Sequence, residues 1–268
     1  MACTDRGGLA PDDPAFDISD AADVEALLRA EDHHFWHRAR NHFILKKLRS
    51  LGAAPGARLL ELGCGAGCVA AELSRAGYDI TGVEGHRALL EVARRRAPRA
   101  NFLCRDLRSG VPDLEREAFD VVALFDVIEH LDEPRKALAS ALRPLRKGGL
   151  LVGTVPALMA LWSPIDEHAG HKIRYSERTL REVLSGLDGA TVVEISSFFR
   201  SLVPMMWAQR RMIGRRGDAK ASVQNLSVPP WPLNAALFAL VSLEHALAPL
   251  LDRRAIAGAS LWFALKRQ

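Results

Sequence analysis

The chain has 268 residues, of which 49% are hydrophobic and 25% charged, with a formal net charge of +4. Such a composition suits a globular protein of one large domain with an appendage, and it lacks the strongly basic profile of a dedicated nucleic-acid binder. The four cysteines, Cys3, Cys64, Cys68 and Cys104, form no CxxC pair, which argues against a zinc framework or disulfide scaffold and fits a reducing cytoplasm.

Residues 1–20 begin MACTDRGGLAPDD, with no apolar core behind a positive charge, and read as a disordered lead-in rather than a secretory signal. Residues 21–50 read as a helical lid, with apolar positions at Val24, Leu27, Leu28, Phe43, Ile44 and Leu48 over 23–50. A loop, LGAAPGA, leads into a short strand at 58–62, RLLEL, and a helix from Gly65 to Ala76. A strand is expected at 78–84, a helix at 86–97 and a strand at 100–106. FDVVALFD, 119–126, is a continuous apolar strand ending in an acid. A helix over 133–146 carries Pro134 in its first turn, and a strand follows at 148–156. Residues 157–175 are a histidine-bearing loop, 176–187 a helix and 190–199 a strand. Two apolar helical stretches, 201–213 and 232–251, are joined by the basic RRMIGRRGDAK, and ASLWFALKR, 259–267, closes the chain as a strand. There is no internal repeat. The alternation implies an α/β, doubly wound, mostly parallel sheet, whose strands are apolar throughout because both faces are covered. The core is expected over 51–199 and 257–268, with 200–256 as a helical insert before the last strand.

In such sheets ligands sit at the carboxyl ends of the strands. Gly63, Gly65 and Gly67 stand there, directly after the first strand. A dinucleotide fingerprint, G-x-G-x-x-G, would need a glycine where Cys68 stands. Glu61 beside the loop would also repel a pyrophosphate, yet it would welcome a ligand carrying ammonium and sulfonium groups. Glu84 lies at the usual reach of a ribose-binding acid. Asp106 at the third strand end can accept from an adenine amino group, and Asp126 completes a set of acids at four strand ends. A nicotinamide oxidoreductase and a non-catalytic cofactor binder are the readings from other classes.

LLELGCGAG, GVEG, CRDL and FDVVALFDVIEHL closely resemble the class I S-adenosylmethionine-dependent methyltransferases. The resemblance runs from about residue 30 to the end. It implies a seven-stranded sheet with an antiparallel last strand, and S-adenosylmethionine as cofactor. It sets Glu61, Gly63, Cys64, Gly65 and Gly67 around the methionine part. It sets Glu84, with Gly85, at the ribose and Asp106, with Leu107, at the adenine. It sets Asp126 at the methyl-donor mouth. In many bacterial members the segment corresponding to 31–44 folds over the cofactor. There Phe35 and Trp36 would cover the sulfonium, and Arg38 or Arg40 would hold the methionine carboxylate. The alternative is a helix packed on the sheet with its arginines in water.

The fourth strand is not followed by the Asn/Asp-Pro-Pro-aromatic run of exocyclic-amine methylases, which argues against nucleic acid as acceptor. DVIEHL instead resembles small-molecule members, including quinone-pathway and natural-product O-methyltransferases. His130 is a candidate base, or a residue orienting the next helix. DEHAGHKIRY, 166–175, offers His168 and His171 as bases or substrate contacts, Arg174 as a partner for an acidic substrate or a loop carboxylate, and Tyr175. Much of this D…H…RY stretch is expected to fix the loop's shape. A metal held by Asp166, His168 and His171 is the weaker reading, and no metal is expected. Residues 31–44 and 163–175 are expected to wall the substrate mouth.

The insert reads as a buried helix pair roofing the pocket, as a membrane-surface hairpin whose Arg210, Arg211, Arg215, Arg216 and Lys220 meet anionic headgroups, or as a dimer contact. Glu244 and His245 count against a membrane span. The expected activity is O-methylation of a small, fairly apolar metabolite, with N- or C-methylation of a small or lipid-like molecule as the alternative. The expected assembly is a cytoplasmic monomer or homodimer.

Overall fold

The computed structural model describes residues 21–107, 114–216, 227–252 and 256–268. The lead-in 1–20, Cys3 and Lys220 lie outside the described residues, as do the side chains of Arg215 and Arg216. Helices α1 (Ala21–His33) and α2 (Phe35–Ser50) precede β1 (Arg58–Leu62), α3 (Cys68–Arg75), β2 (Asp79–Glu84), α4 (Arg87–Arg96) and β3 (Asn101–Cys104). Then come β4 (Phe119–Phe125), α5 (Pro134–Ala141), β5 (Leu145–Pro156), α6 (Pro164–His168), α7 (Glu177–Leu184) and β6 (Ala190–Phe198). The helices α8 (Val203–Arg216) and α9 (Trp231–Asp252) precede the final strand β7 (Ser260–Arg267).

The seven strands form one sheet in the order β3-β2-β1-β4-β5-β7-β6. Pairing is parallel from β3 to β5, and β7 runs antiparallel to both β5 and β6. The order reverses between β1 and β4, so the switch point lies beside the glycines that follow β1. Alternate residues of one strand feed two cores. Trp262 packs with Ile44, Leu48 and Phe198 on one face, while Phe263 packs with Leu60, Val122 and Tyr175 on the other.

Three elements differ from the sequence-based expectation. The single helix over 23–50 is two, broken at His34, whose extended backbone (φ −70°, ψ 132°) and Nδ1 cap α2 by accepting from Trp36 N–H at 3.1 Å. Asn234 of α9 clasps the break: its Oδ1 accepts from Phe35 N–H at 2.8 Å and its Nδ2 donates to the His33 carbonyl at 2.9 Å. The helix expected over 133–146 ends at Ala141, because Pro144 has no N–H to continue it. The strand then starts at Leu145, paired with Phe119. The expected loop 157–175 contains α6, started by a capping box in which Ser163 and Asp166 bond each other's backbone, with Pro164 in the first turn.

The insert docks on the same face as α2. Glu244 of α9 is buried and accepts from the Arg200 and Ser201 N–H groups, each at 2.8 Å, and from Ser201 Oγ at 2.7 Å. His245 sits among Phe43, Phe198 and Phe199, and burial lowers its pKa to about 4. Among the described residues, no helix is long and apolar enough to cross a membrane.

Candidate active site

β1 ends in a backbone turn that only glycines make without strain. Gly63 and Gly67 hold φ values of 78° and 76°. A Cβ on Gly63 would strike Val127 Cγ2 at 2.7 Å, and one on Gly67 would strike Ala93 of α4 at 2.8 Å, so these two glycines are set by packing. Gly65 (φ 53°) differs, because a Cβ there meets nothing within 4 Å. Its turn faces open space. Leu107 Cδ1 lies 3.7 Å from the Gly63 Cβ position, and Asp106 Cα lies 3.4 Å from that of Gly85. The β2 and β3 ends are thereby brought beside the glycine loop. Glu84 ties it down, accepting from Gly65 N–H at 2.9 Å and His86 N–H at 2.8 Å. Cys64 is buried, and its thiol pKa is pushed well up by burial and then by Glu61 and Glu84.

Glu61 is the anomaly of this loop. It is buried, and its Oε2 has no hydrogen-bond partner. Burial raises its pKa to about 8, against the pull of Arg40. A buried carboxyl in this state lacks a cation that would satisfy it.

Asp126, just past β4, has a left-handed backbone (φ 54°) unusual for a residue with a side chain. It is over-determined: its N–H donates to the Thr154 carbonyl at 2.9 Å, its Oδ1 accepts from Thr154 Oγ1 at 3.0 Å and its Oδ2 accepts from Arg40 Nη1 at 2.5 Å. Burial alone would lower the Arg40 pKa, but Asp126 beside it carries it upward. The arginine expected to hold a ligand carboxylate is therefore committed to Asp126, although its Nε has no partner. Arg38 lies over the Phe238 ring at 4.7 Å, and Trp36 stacks on Phe199 with centroids 4.0 Å apart. Arg38 thus meets the insert, and Trp36 the residue after β6. Helix α1 is clasped from elsewhere. Arg96 of α4 pairs with Glu31 and, at 2.8 Å, with Asp32, and donates to the Leu28 carbonyl at 3.0 Å.

The D…H…RY stretch is mostly scaffold. Asp166 is fully buried and accepts from Arg174 Nε at 2.7 Å, Arg210 Nη1 at 2.5 Å and Ser163 N–H at 3.0 Å, and its Oδ1 lies 3.0 Å from His171 Nδ1. Burial opposes the charge, but these donors hold its carboxyl far below the usual range. Arg174 is buried and also donates to the Ala157 carbonyl at 3.0 Å, so it is not free for an acidic substrate. Tyr175 is an interior residue of the second core, its pKa raised to about 12 by burial and then by Glu129. His168 is exposed at the end of α6. Of these two, Tyr175 fills the core and His168 faces water. Arg210, expected at a membrane surface, is tied to α6 instead.

His130 and His171 do come together, with ring centroids 4.9 Å apart. Burial and then His171 lower the His130 pKa. Between β4 and these imidazoles lies Glu129, which the sequence reading passed over. It is fully buried with both oxygens unpartnered, and burial followed by Asp126 pushes its pKa well up. An acid in an otherwise apolar run, VIEHL, was the available signal. Thr154 and His37, the latter lowered to about 3 by burial and by Arg40, were also missed.

Residues 60–153 match a family model described as a methyltransferase domain. The chain is 33% identical over 103 residues to a demethylmenaquinone methyltransferase of Renibacterium salmoninarum, covering 38% of this chain and 43% of that protein. It is 28% identical over 123 residues to the mitochondrial ubiquinone biosynthesis O-methyltransferase of Schizosaccharomyces pombe, covering 44% and 45%. The chain thus spans under half the length of these curated relatives. A geranyl diphosphate C-methyltransferase from Streptomyces coelicolor shares the fold at a TM-score of 0.56 and 17% identity, covering 87% of this chain and 76% of that one.

Proposed function

We propose, from the match of residues 60–153 to a methyltransferase-domain family model, that this protein is a class I S-adenosylmethionine-dependent methyltransferase and transfers a methyl group to an oxygen of a small, fairly apolar metabolite. One observation carries the reading: the open turn at Gly65 lies beside Glu61, a buried carboxyl without a partner on Oε2. A cationic nucleoside fits that cradle, and a pyrophosphate does not. The cofactor supplies an activated methyl group on a sulfonium. The chain supplies binding and alignment. Glu61 and the Gly63–Gly67 turn would hold the amino-acid part, Glu84 the ribose hydroxyls, and Asp106 with Leu107 the adenine.

The acceptor is proposed to be a hydroxyl. The Schizosaccharomyces pombe relative, an O-methyltransferase of ubiquinone biosynthesis, is consistent with this. Arg174 and Arg40, the cations that would bind a carboxylate, are already paired inside the protein. The His130–His171 pair is proposed to activate that hydroxyl.

Calorimetric titration with S-adenosylhomocysteine and, separately, with NADH tests the reading. Binding of the first and not the second is expected. Glu84→Ala should weaken the first by about 2–3 kcal/mol, since two charge-assisted hydrogen bonds are lost. Binding of NADH alone, or an unchanged affinity in a folded Glu84→Ala variant, overturns it.

A further inference from the structure

Three side chains converge just past the end of β4. Glu129 and His130 belong to the 3-10 turn Ile128–His130 after β4, and His171 follows α6. One ligand atom of each lies within 4.8 Å of the others. Glu129 is 0% exposed, and neither of its oxygens has a hydrogen-bond partner. A carboxyl buried this way is costly unless something of opposite charge meets it.

The two imidazoles are oriented from behind. His130 Nδ1 lies 3.3 Å from the Gly170 carbonyl, a bond that only an N–H can make. His171 Nδ1 lies 3.0 Å from Asp166 Oδ1, whose carboxylate is held ionised by Arg174 and Arg210. With both Nδ1 protons so fixed, each ring keeps a lone pair on Nε2. Carboxylate and carbonyl acceptors behind histidine are the arrangement that orients metal-binding imidazoles.

We propose that Glu129, His130 and His171 bind one divalent transition-metal cation of the zinc or manganese type. Two neutral imidazoles and one carboxylate are the protein donors of an open site that leaves a position for a further ligand. The cation supplies the charge that lets Glu129 ionise where it stands. The site differs from a grouping of Asp166, His168 and His171, because Asp166 is saturated by donors and His168 faces water. Its role rests on the methyl-transfer reading: the acceptor hydroxyl takes the open position, its pKa falls, and its proton passes to solvent water.

The test uses the full-length protein stripped with a chelator and titrated with Co2+ as a spectroscopic probe, then with Zn2+ and Mn2+ by calorimetry. Saturation at one Co2+ per chain is expected, with visible absorption of a low-coordinate site. Glu129→Gln should weaken binding on the order of 100-fold, and Asp166→Asn, which releases His171, by roughly 10-fold or more. Glu129→Gln conserves shape in a chain whose Glu129 is otherwise buried without a partner, so it should fold. His168→Ala, should it bind Co2+ as wild type does, supports the assignment. Absence of Co2+ binding in the folded wild type, or full binding by Glu129→Gln, overturns it. S-adenosylhomocysteine binding is measured on the same chelated protein. Loss of that binding would indict the cofactor reading, whereas loss of Co2+ binding alone indicts only the metal site.

Discussion

Glu61 makes a pH-dependent prediction at the scale of one residue. Its pKa in the free protein is raised to about 8 by burial. Its unfolded value is near 4.5, so the folded chain disfavours the charged form between those limits. A ligand ammonium at Oε2 reverses that preference, so cofactor binding must release a proton when it occurs below pH 8. Calorimetry at pH 6.5 in buffers of different ionisation enthalpy should register this release. Affinity should rise with pH and level off above about 8. Glu61→Gln should abolish the linkage, and persistence of the linkage in that variant would assign the proton to another group. Gly65→Val should cut cofactor affinity more than Glu84→Ala does, because it fills the open turn and strains a left-handed backbone, while circular dichroism stays that of the wild type.

Asp166 links three elements through one side chain. Asp166→Asn leaves Arg174, buried and cationic, without its counter-charge, which should cost about 3–5 kcal/mol in urea unfolding. The sign with pH follows from its depressed pKa: the stabilisation is present above the unfolded value near 4 and is lost as pH falls below it. The asparagine variant should therefore differ most from wild type at neutral pH and least in acid.

At the scale of elements, Asn234 ties the start of α9 to the α1–α2 junction. Replacing it by Ala removes both bonds at the His34 break and leaves Phe35 N–H unsatisfied, a loss of about 1–3 kcal/mol. Faster hydrogen exchange confined to residues 33–36 and to the first turns of α9 is the expected signature. Unchanged exchange there would mean that apolar packing alone holds the helix. His245 adds a pH dependence to the same contact. Its pKa is lowered to about 4 by burial, so stability is present above its unfolded pKa near 6.5 and is lost as pH falls towards 4.

For the whole molecule, the outstanding surface is the outer side of α8 and α9. Trp231 is 80% exposed and Leu243 58%, and Leu233, Leu240 and Leu247 are exposed beside them. Met205, Trp207 and Met212 are exposed on α8, with Arg211 over the Trp207 ring at 4.4 Å. With Arg210 committed to Asp166, the sequence 211–220 holds Arg211, Arg215, Arg216 and Lys220 against one acid, Asp218. Exposed apolar side chains with a cation such as Arg211 among them suit an anionic lipid surface. Co-sedimentation with anionic vesicles is expected, weaker with zwitterionic ones and at high salt, and reduced by Trp231→Ser with Leu243→Ser. A concentration-dependent doubling of mass in light scattering, with no vesicle binding, would make this face a contact between two copies.

The sequence by itself determined the sheet and the place of the glycine turn and the strand-end acids on it. Continuous apolar strands, the glycines after RLLEL and the acids at Glu61, Glu84, Asp106 and Asp126 are local signals, because strand burial and turn geometry depend on neighbours in the chain. The strand reading held within a few residues except at Pro144, whose missing N–H stopped a helix that the periodicity carried on. The pairing state of each polar group was beyond local reading. Arg40 looked free until α2 set it on Asp126, Arg174 looked like a substrate clamp until burial joined it to Asp166, which Arg210 also meets, and Glu129 drew no notice until His171 arrived beside it. Those partners lie 86, 8, 44 and, for Glu129 and His171, 42 positions away in the sequence, the last being 171 less 129. Only tertiary structure decides which charges meet and which are left buried alone, because desolvation and ion pairing depend on distance in space and not along the chain.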